Sequence, residues 1–181
     1  MSILAIYNVL KIQEFIFASN KLAENLGASI FVQQVFEDRL PQAIQKAMNN
    51  DDRLYRTKWK NAAEFEIMQP NSKIQAEVVY IGGGNAIVAY ADKTIAKTVT
   101  QALSRILLEE TGGAIQFAVA YHDTNFNDYQ TDKTALFKQL NLNKAQRIQS
   151  PPLLGIGITR SGNDGLPAII SEKDKDTGNP V

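Results

Sequence analysis

The sequence contains no cysteine, which excludes disulfide bonds, cysteine nucleophiles and metal sites built on thiolates. It contains a single histidine, His122, so a site built on several histidines is excluded as well. Any metal would have to be held by oxygen ligands, and such ligands suit Mg²⁺ or Mn²⁺. The absence of cysteine fits a reducing compartment, and we expect a cytoplasmic protein.

Long apolar runs and an excess of charge are also missing. No run approaches the roughly 20 apolar residues of a membrane-spanning helix, and the apolar start at Ser2–Leu10 is short and lacks the basic segment of a signal peptide. The 19 basic residues are balanced by 19 acidic ones. This balance gives no general attraction to nucleic acid or to anionic membranes. We expect no membrane partner, and direct nucleic-acid binding through a local basic patch stays open.

The chain has 181 residues, of which 44% are hydrophobic, enough for one domain with its own core. Residues 1–160 carry the apolar patterns and are predicted to form this domain. Residues 161–181 are polar without an apolar period, which predicts a loosely ordered tail. A polar end of this kind is also consistent with the start of a further, truncated region.

Apolar periodicity and turn residues predict alternating strands and helices. The predicted elements are a strand Ile3–Val9, a helix from Ser29 to about Asn49 that bends at Pro41, a strand Glu64–Met68, strands Ala76–Ile81 and Ala86–Tyr90, a helix after Asp92, a strand Ala114–Tyr121, a helix Asp128–Ala145 and a last strand Leu153–Ile158. This order predicts an α+β fold with an antiparallel sheet and helices mainly on one face. A ferredoxin-like (RRM-like) arrangement is the natural choice.

The segment Gly82-Gly83-Gly84-Asn85 separates two of these strands and predicts a hairpin, since glycine and asparagine tolerate positive φ. Three consecutive glycines also leave a bare backbone that a planar base or a phosphate can approach closely. The plainer alternative is a tight turn alone, although such a turn requires only one or two residues of this type.

A second candidate site lies at Gly27-Ala28-Ser29. If Ser29 begins a helix, its hydroxyl and the free N–H groups of the first turn form a phosphate site. The alternative is an ordinary capped helix. The pair His122-Asp123 is a weaker candidate for acid–base chemistry, because neighbouring residues of a strand point to opposite faces. We therefore interpret His122 as a strand-end residue without a catalytic role.

Several of these residues carry a resemblance to a known family. The segment Ile12-Gln13-Glu14-Phe15-Ile16-Phe17, followed by Ser19, Lys21-Leu22 and Gly27-Ala28-Ser29, resembles the opening of the palm domain in the large subunit of type III CRISPR effector complexes. The hairpin stands where that family and the related GGDEF cyclases carry a Gly-Gly-Asp-Asp or Gly-Gly-Asp-Glu turn. Gly165-Leu166-Pro167-Ala168 resembles a further short motif after the palm. The resemblance implies a palm domain that binds ATP and, in active members, makes cyclic oligoadenylate with two divalent metals.

This sequence is a degenerate, Gly-Gly-Gly-Asn variant of that pattern. Active palms carry one aspartate at the end of the first strand and another in the hairpin, and these carboxylates hold both metals. Asn8, Gly84 and Asn85 stand at those places here. Neutral amides bring no charge and bind Mg²⁺ far more weakly than carboxylates do. We therefore predict no metal site and no efficient two-metal catalysis, and no catalytic residue is assigned.

A purine nucleotide such as ATP is still expected to bind. The candidate binding residues are Asn8, Ser29, Gly82, Gly83, Gly84, Asn85 and Lys144. Related palms use a lysine to bind phosphate at the place of Lys144. The alternative interpretation is that Lys144 is a solvated surface residue. Two further hypotheses stay open: an active nucleotidyl cyclase or polymerase with unconventional ligands, and a structural interaction module. The implied partners are other CRISPR effector proteins or a second palm domain in a dimer, in antiviral defence or signalling.

Overall fold

The computed structural model describes residues 2–58 and 65–145 of the chain. The strands are β1 (Ser2–Val9), β2 (Tyr55–Arg56), β3 (Ala76–Gly82), β4 (Asn85–Tyr90) and β5 (Phe117–Thr124). The helices are α1 (Ile12–Ile16), α2 (Leu22–Gln34), α3 (Leu40–Ala47), α4 (Lys93–Thr111) and α5 (Tyr129–Ala145). A π-helical segment, Val35–Arg39, joins α2 to α3, and a 3₁₀ turn spans Glu66–Met68.

The strands form one sheet in the order β2-β3-β4-β1-β5. β1 lies between β4 and β5 and is antiparallel to both, and Ile3–Tyr7 are all buried. A strand that is covered on both faces needs apolar side chains at successive positions, which explains the continuous apolar run at the start of the chain. The short strand β2 pairs in parallel with β3, so the sheet is mixed at that edge.

Helices cover the two faces of the sheet unequally. One apolar cluster joins Ile3, Ala5 and Tyr7 of β1 to buried side chains of α2, the π segment, α3 and α4. The opposite face carries Leu4 and Ile6, and α5 covers it through buried leucines. The predicted α+β, ferredoxin-like fold with helices mainly on one face is confirmed, with α5 on the second face.

Several helix boundaries agree with those predicted from the sequence. Asp92 caps α4, because its Oδ1 accepts hydrogen bonds from the backbone N–H groups of Thr94 and Ile95 at 2.7 and 3.0 Å. Gly112 ends the same helix with φ of 57°, as expected of a residue without a Cβ. The helix predicted at Asp128–Ala145 is confirmed as α5.

In the middle of the chain one prediction is wrong and one strand was missed. Glu66–Met68 form a 3₁₀ turn rather than part of a strand. The reason is a contact with β3, since the backbone N–H of Ile67 donates to a carboxylate oxygen of the Glu77 side chain at 2.7 Å. The short strand β2 was not predicted. The predicted strand Leu153–Ile158 and the tail 161–181 lie outside the described residues.

A buried hydroxyl network ties the sheet to α4. The Tyr7 hydroxyl lies 2.9 Å from that of Tyr90 and 3.0 Å from Oγ1 of Thr100. Tyr121 donates to the same threonine at 2.7 Å. Burial raises the pKa of both Tyr7 and Tyr90 well above its ordinary value, so both phenols stay neutral. Within residues 2–58 and 65–145, no helix has the length and apolar character to cross a membrane.

Candidate functional site

The hairpin between β3 and β4 turns on two residues, Gly83 and Gly84. Their φ angles are 57° and 74°, and positive φ at both central residues is typical of the type I′ turn that suits the twist of paired strands. Gly84 also needs its missing Cβ for a second reason, because a Cβ there would clash with Cδ1 of Ile12. The predicted hairpin is confirmed, and the turn geometry accounts for these two glycines.

Gly82 differs from these two glycines, because its neighbour is the outer end of a flexible side chain. A Cβ on Gly82 would lie 2.5 Å from the hydroxyl of Tyr80, whose ring lies over this position. Gly83 and Gly84 therefore have a local structural role in the turn, and the three glycines together leave a stretch of main chain that a ligand can approach from the side of α2.

Asn8 and Asn85 face each other where β1 and β4 pair. Asn8 Nδ2 donates a hydrogen bond to Asn85 Oδ1 at 2.8 Å, and Asn85 Nδ2 donates to the carbonyl oxygen of Gly83 at 3.2 Å. Asn8 also approaches the carbonyl oxygen of Gly84 at 3.5 Å. The structure thus brings together two residues that are 77 positions apart in sequence. The two neutral amides are thus joined directly by a hydrogen bond.

A cavity of about 310 Å³ opens between the hairpin and the helical segment that runs from α2 into the π segment. The lining residues are Ile12, Ile16, Ser29, Val32, Gln33, Phe36, Glu37, Ile81, Gly82, Gly83, Gly84 and Asn85. One wall is apolar, the floor is the glycine backbone, and one helical edge is polar. This combination of apolar surface and a few convergent polar groups is typical of a small-molecule site.

Ser29 lies in this cavity, but not for the predicted reason. The helix begins at Leu22 rather than at Ser29, and Lys21 is its N-cap residue. Because Ser29 lies in the interior of α2, the backbone N–H groups that follow it are bonded within the helix and cannot bind phosphate. The predicted phosphate site at a helix start is therefore wrong. Ser29 instead presents a hydroxyl to the cavity from the side of the helix.

Two polar lining residues were missed by the sequence analysis. Gln33 follows Ser29 by one helical turn, and Glu37 follows Gln33 by another, inside the π segment. Gln33 Nε2 donates to both carboxylate oxygens of Glu37, at 3.1 and 2.9 Å. The four-residue spacing of Ser29, Gln33 and Glu37 was a readable signal of one polar helix edge. The π segment gave no recognisable signal, although such segments are frequent at functional sites.

Lys144 is not among the residues that line the cavity. It lies near the end of α5, on the second face of the sheet. The neighbouring Asn143 donates from Nδ2 to the carbonyl oxygen of Val119 at 2.8 Å, and Val119 pairs with Tyr7 of β1. Lys144 is therefore near the Asn8 end of the sheet but separated from the cavity by the strands.

His122 pairs with Asp132 of α5 rather than with its sequence neighbour. His122 Nε2 lies 3.1 Å from Oδ1 of Asp132, and Thr124 donates its hydroxyl to the other carboxylate oxygen. Asp132 is buried, so these contacts attach α5 to β5 and are distant from the cavity. Among residues 2–58 and 65–145, no group of three or more histidine, aspartate or glutamate residues is arranged to hold a metal ion.

The comparisons with known proteins establish the fold. No protein-family model matches the chain, and no curated protein matches it. Among solved structures, a Csm1–Csm4 cassette in complex with one ATP is 17% identical with a TM-score of 0.60, over 84% of this chain and 21% of that chain. Csm1 in T. onnurineus is 17% identical with a TM-score of 0.59, over 85% of this chain and 22% of that chain.

A third structure is the Csm1–Csm4 subcomplex of the type III-A CRISPR-Csm interference complex. It is 15% identical with a TM-score of 0.59, over 91% of this chain and 23% of that chain. The chain thus spans between a fifth and a quarter of the length of these solved chains. At such identities a likeness establishes only the fold, and we conclude that the chain has the fold of one region of Csm1.

Proposed function

We propose that this chain is a palm-type domain of a CRISPR-associated protein that binds a purine nucleotide without efficient two-metal catalysis. The observation that carries the proposal is the cavity itself. It has a bare glycine floor, an apolar wall that includes Ile12 and Phe36, and a polar edge that begins at Ser29. A flat base can stack on such a floor, while the polar edge provides hydrogen bonds to its rim.

The amide pair supports the absence of two-metal chemistry. In an active palm, two carboxylates would stand at the places of Asn8 and Asn85 and would repel each other unless a cation lay between them. In this chain the two side chains are joined by a hydrogen bond of 2.8 Å. The bond engages Asn85 Oδ1, which is the atom through which that amide would have to bind a cation. A neutral pair of this kind offers Mg²⁺ no charge to offset the loss of its hydration shell.

We place the phosphates outside the cavity. The only ionisable side chain among the lining residues is Glu37, which would repel a triphosphate. Lys144 lies toward the Asn8 end of the sheet but on the face opposite the cavity, and we propose that the phosphates pass around the strand ends at Asn8 and Asn85 toward its ammonium group. Replacement of Lys144 by alanine should therefore weaken the binding of ATP more than that of adenosine. Lys138→Ala, on the same helix, is the matched control and should change neither.

The proposal is tested by calorimetry with ATP, in the presence of Mg²⁺ and in the presence of EDTA. We expect similar affinities in both conditions. Ser29→Trp should abolish binding because the indole would occupy the cavity. The control Ser104→Trp introduces the same side chain at an exposed position of α4 and should bind normally. No detectable binding at millimolar ATP would refute the proposal.

A second candidate function is nucleotide polymerisation or cyclisation with unconventional ligands. Structures of the same fold are described in complex with pppApApA and with cA4, which favours an adenylate substrate or product. Incubation with ATP and Mn²⁺, followed by chromatography of the products, decides this point. Oligoadenylate whose formation is lost in Asn8→Ala and Asn85→Ala would favour catalysis over simple binding.

We further propose a protein partner on the exposed side of α1 and α2. Phe17, Leu22, Leu26 and Ile30 are 67%, 84%, 61% and 46% exposed, and the last three repeat at helical spacing on α2. Some solved structures of this fold are complexes of Csm1 with Csm4, so another CRISPR effector protein or a second palm domain is the expected occupant. Light scattering of wild-type protein and of Leu22→Ser/Leu26→Ser would show whether this surface supports a dimer.

A further inference from the structure

The polar edge of the cavity carries a net negative charge. Ser29, Gln33 and Glu37 line it at intervals of four residues. Glu37 is the only charged residue among the lining residues, and no lysine or arginine accompanies it there. The edge can therefore accept hydrogen bonds from a ligand through a carboxylate, which makes it selective for donor groups on that ligand.

Gln33 fixes the orientation of this carboxylate. A carboxylate only accepts hydrogen bonds, so the atom of Gln33 that lies 2.9 and 3.1 Å from the Glu37 oxygens must be the amide nitrogen. The oxygen Oε1 of Gln33 then points away from Glu37 as a second acceptor. Gln33 acts as a positioning residue, and the carboxylate of Glu37 remains able to accept further hydrogen bonds.

Purine bases differ in what they offer to such an edge. Guanine carries two adjacent donors, N1–H and the 2-amino group, which match the two oxygens of one carboxylate. Adenine carries one amino group, and its neighbouring N1 is a hydrogen-bond acceptor. N1 and a carboxylate oxygen would therefore face each other with no hydrogen between the two atoms. Hypoxanthine has the N1–H donor but lacks the 2-amino group. A single carboxylate can therefore bind the three bases with different affinities.

We propose that the cavity selects guanine over adenine and that Glu37 is the specificity-determining residue. This inference rests on the proposed function, since it assigns the base to the same cavity. The base would lie on the glycine floor with its N1–H and 2-amino group directed at Glu37. Because Gln33 and Glu37 are solvent-exposed, water competes for these hydrogen bonds, and we expect a preference of about tenfold rather than a larger one.

The test compares GTP, ITP and ATP by calorimetry in EDTA. We expect GTP to bind about tenfold more tightly than ATP, with ITP between them. Glu37→Gln should lower the affinity for GTP and reduce the ratio of GTP to ATP affinity toward one. The control Asp38→Asn removes the same charge one residue away, outside the cavity, and should preserve the ratio. Gln33→Ala should lower the ratio less than Glu37→Gln does.

The outcomes separate this inference from the proposed function. Binding of ATP as tight as or tighter than that of GTP would overturn the guanine preference and leave nucleotide binding intact. An unchanged ratio in Glu37→Gln, with the variant folded by circular dichroism, would overturn the role of Glu37. Failure of all three nucleotides to bind would refute both proposals.

Discussion

The hydrogen bond between Asn8 and Asn85 makes a quantitative prediction about what happens when carboxylates are placed at these positions. In Asn85→Asp, Asn8 Nδ2 can still donate to the new carboxylate. In Asn8→Asp, the Asn85 amide can rotate and donate instead. Each single variant keeps one hydrogen bond between the two side chains. Asn85→Asp loses the bond to the Gly83 carbonyl, and Asn8→Asp loses the longer contact with the Gly84 carbonyl. We expect each to lower the free energy of unfolding by about 1 kcal/mol or less.

The double variant has no hydrogen left between the two side chains. Two carboxylates with charge centres roughly 4 Å apart repel each other by about 4 kcal/mol at an effective dielectric constant of about 20. Asn8 and Asn85 are both half-buried, so water screens part of this repulsion. We expect a loss of about 2 kcal/mol beyond the sum of the single variants. Urea denaturation of the four proteins at neutral pH in EDTA measures this coupling.

Two conditions should relieve the repulsion in the double variant alone. Repulsion raises the pKa of one carboxyl in the folded state above its unfolded value. The folded protein then binds more protons than the unfolded one, and stability rises as the pH falls through that raised pKa. Mn²⁺ should also restore stability by lying between the carboxylates. Additive losses, or equal stabilisation of the wild-type protein by Mn²⁺, would refute the reasoning.

Three further predictions concern stability. Gly83→Ala and Gly84→Ala should each destabilise the protein by about 1 kcal/mol, because both glycines have positive φ, and Gly84→Ala should cost slightly more since the flexible end of Ile12 must also shift; a smaller loss for Gly84→Ala than for Gly83→Ala in thermal denaturation would contradict this. Asp132→Ala should cost about 1–3 kcal/mol in urea denaturation, since it removes the partner of His122 and Thr124, whereas the control Asp123→Ala should cost less than about 0.5 kcal/mol. Wild-type stability should fall as the pH rises above about 10, because Tyr7 and Tyr90 keep their protons only in the folded state; a flat profile up to pH 11, or an equal slope in Tyr90→Phe, would contradict this.

Much of the fold could be predicted from the sequence because its signals are local. The glycines of the hairpin, the Asp92 cap and the apolar run of β1 each depend on residues within a few positions. The 3₁₀ turn at Glu66–Met68 could not be predicted, because it depends on a hydrogen bond to Glu77 on another strand. The start of α2 at Leu22 was missed because Lys21 provides no side-chain cap, whereas Ser29 has the chemistry of a cap.

The candidate site, like the fold, could be predicted only in part. That Asn8 and Asn85 belong together was expected from the resemblance to palm domains, but their direct hydrogen bond depends on the register between β1 and β4. Glu37 was not predicted, because an exposed glutamate in a helical segment carries no sequence signal of a binding site. It lies inside the π segment and lines the cavity one turn after Gln33.

The central claim is that nucleotide binds on the hairpin without a metal pair. A crystal structure of the protein soaked with GTP and Mn²⁺, with anomalous diffraction data for manganese, tests it most directly. We predict a nucleotide whose base lies against Gly82–Gly84, with no manganese peak beside Asn8 and Asn85. Two manganese ions at that position, bridging the triphosphate, would contradict the account.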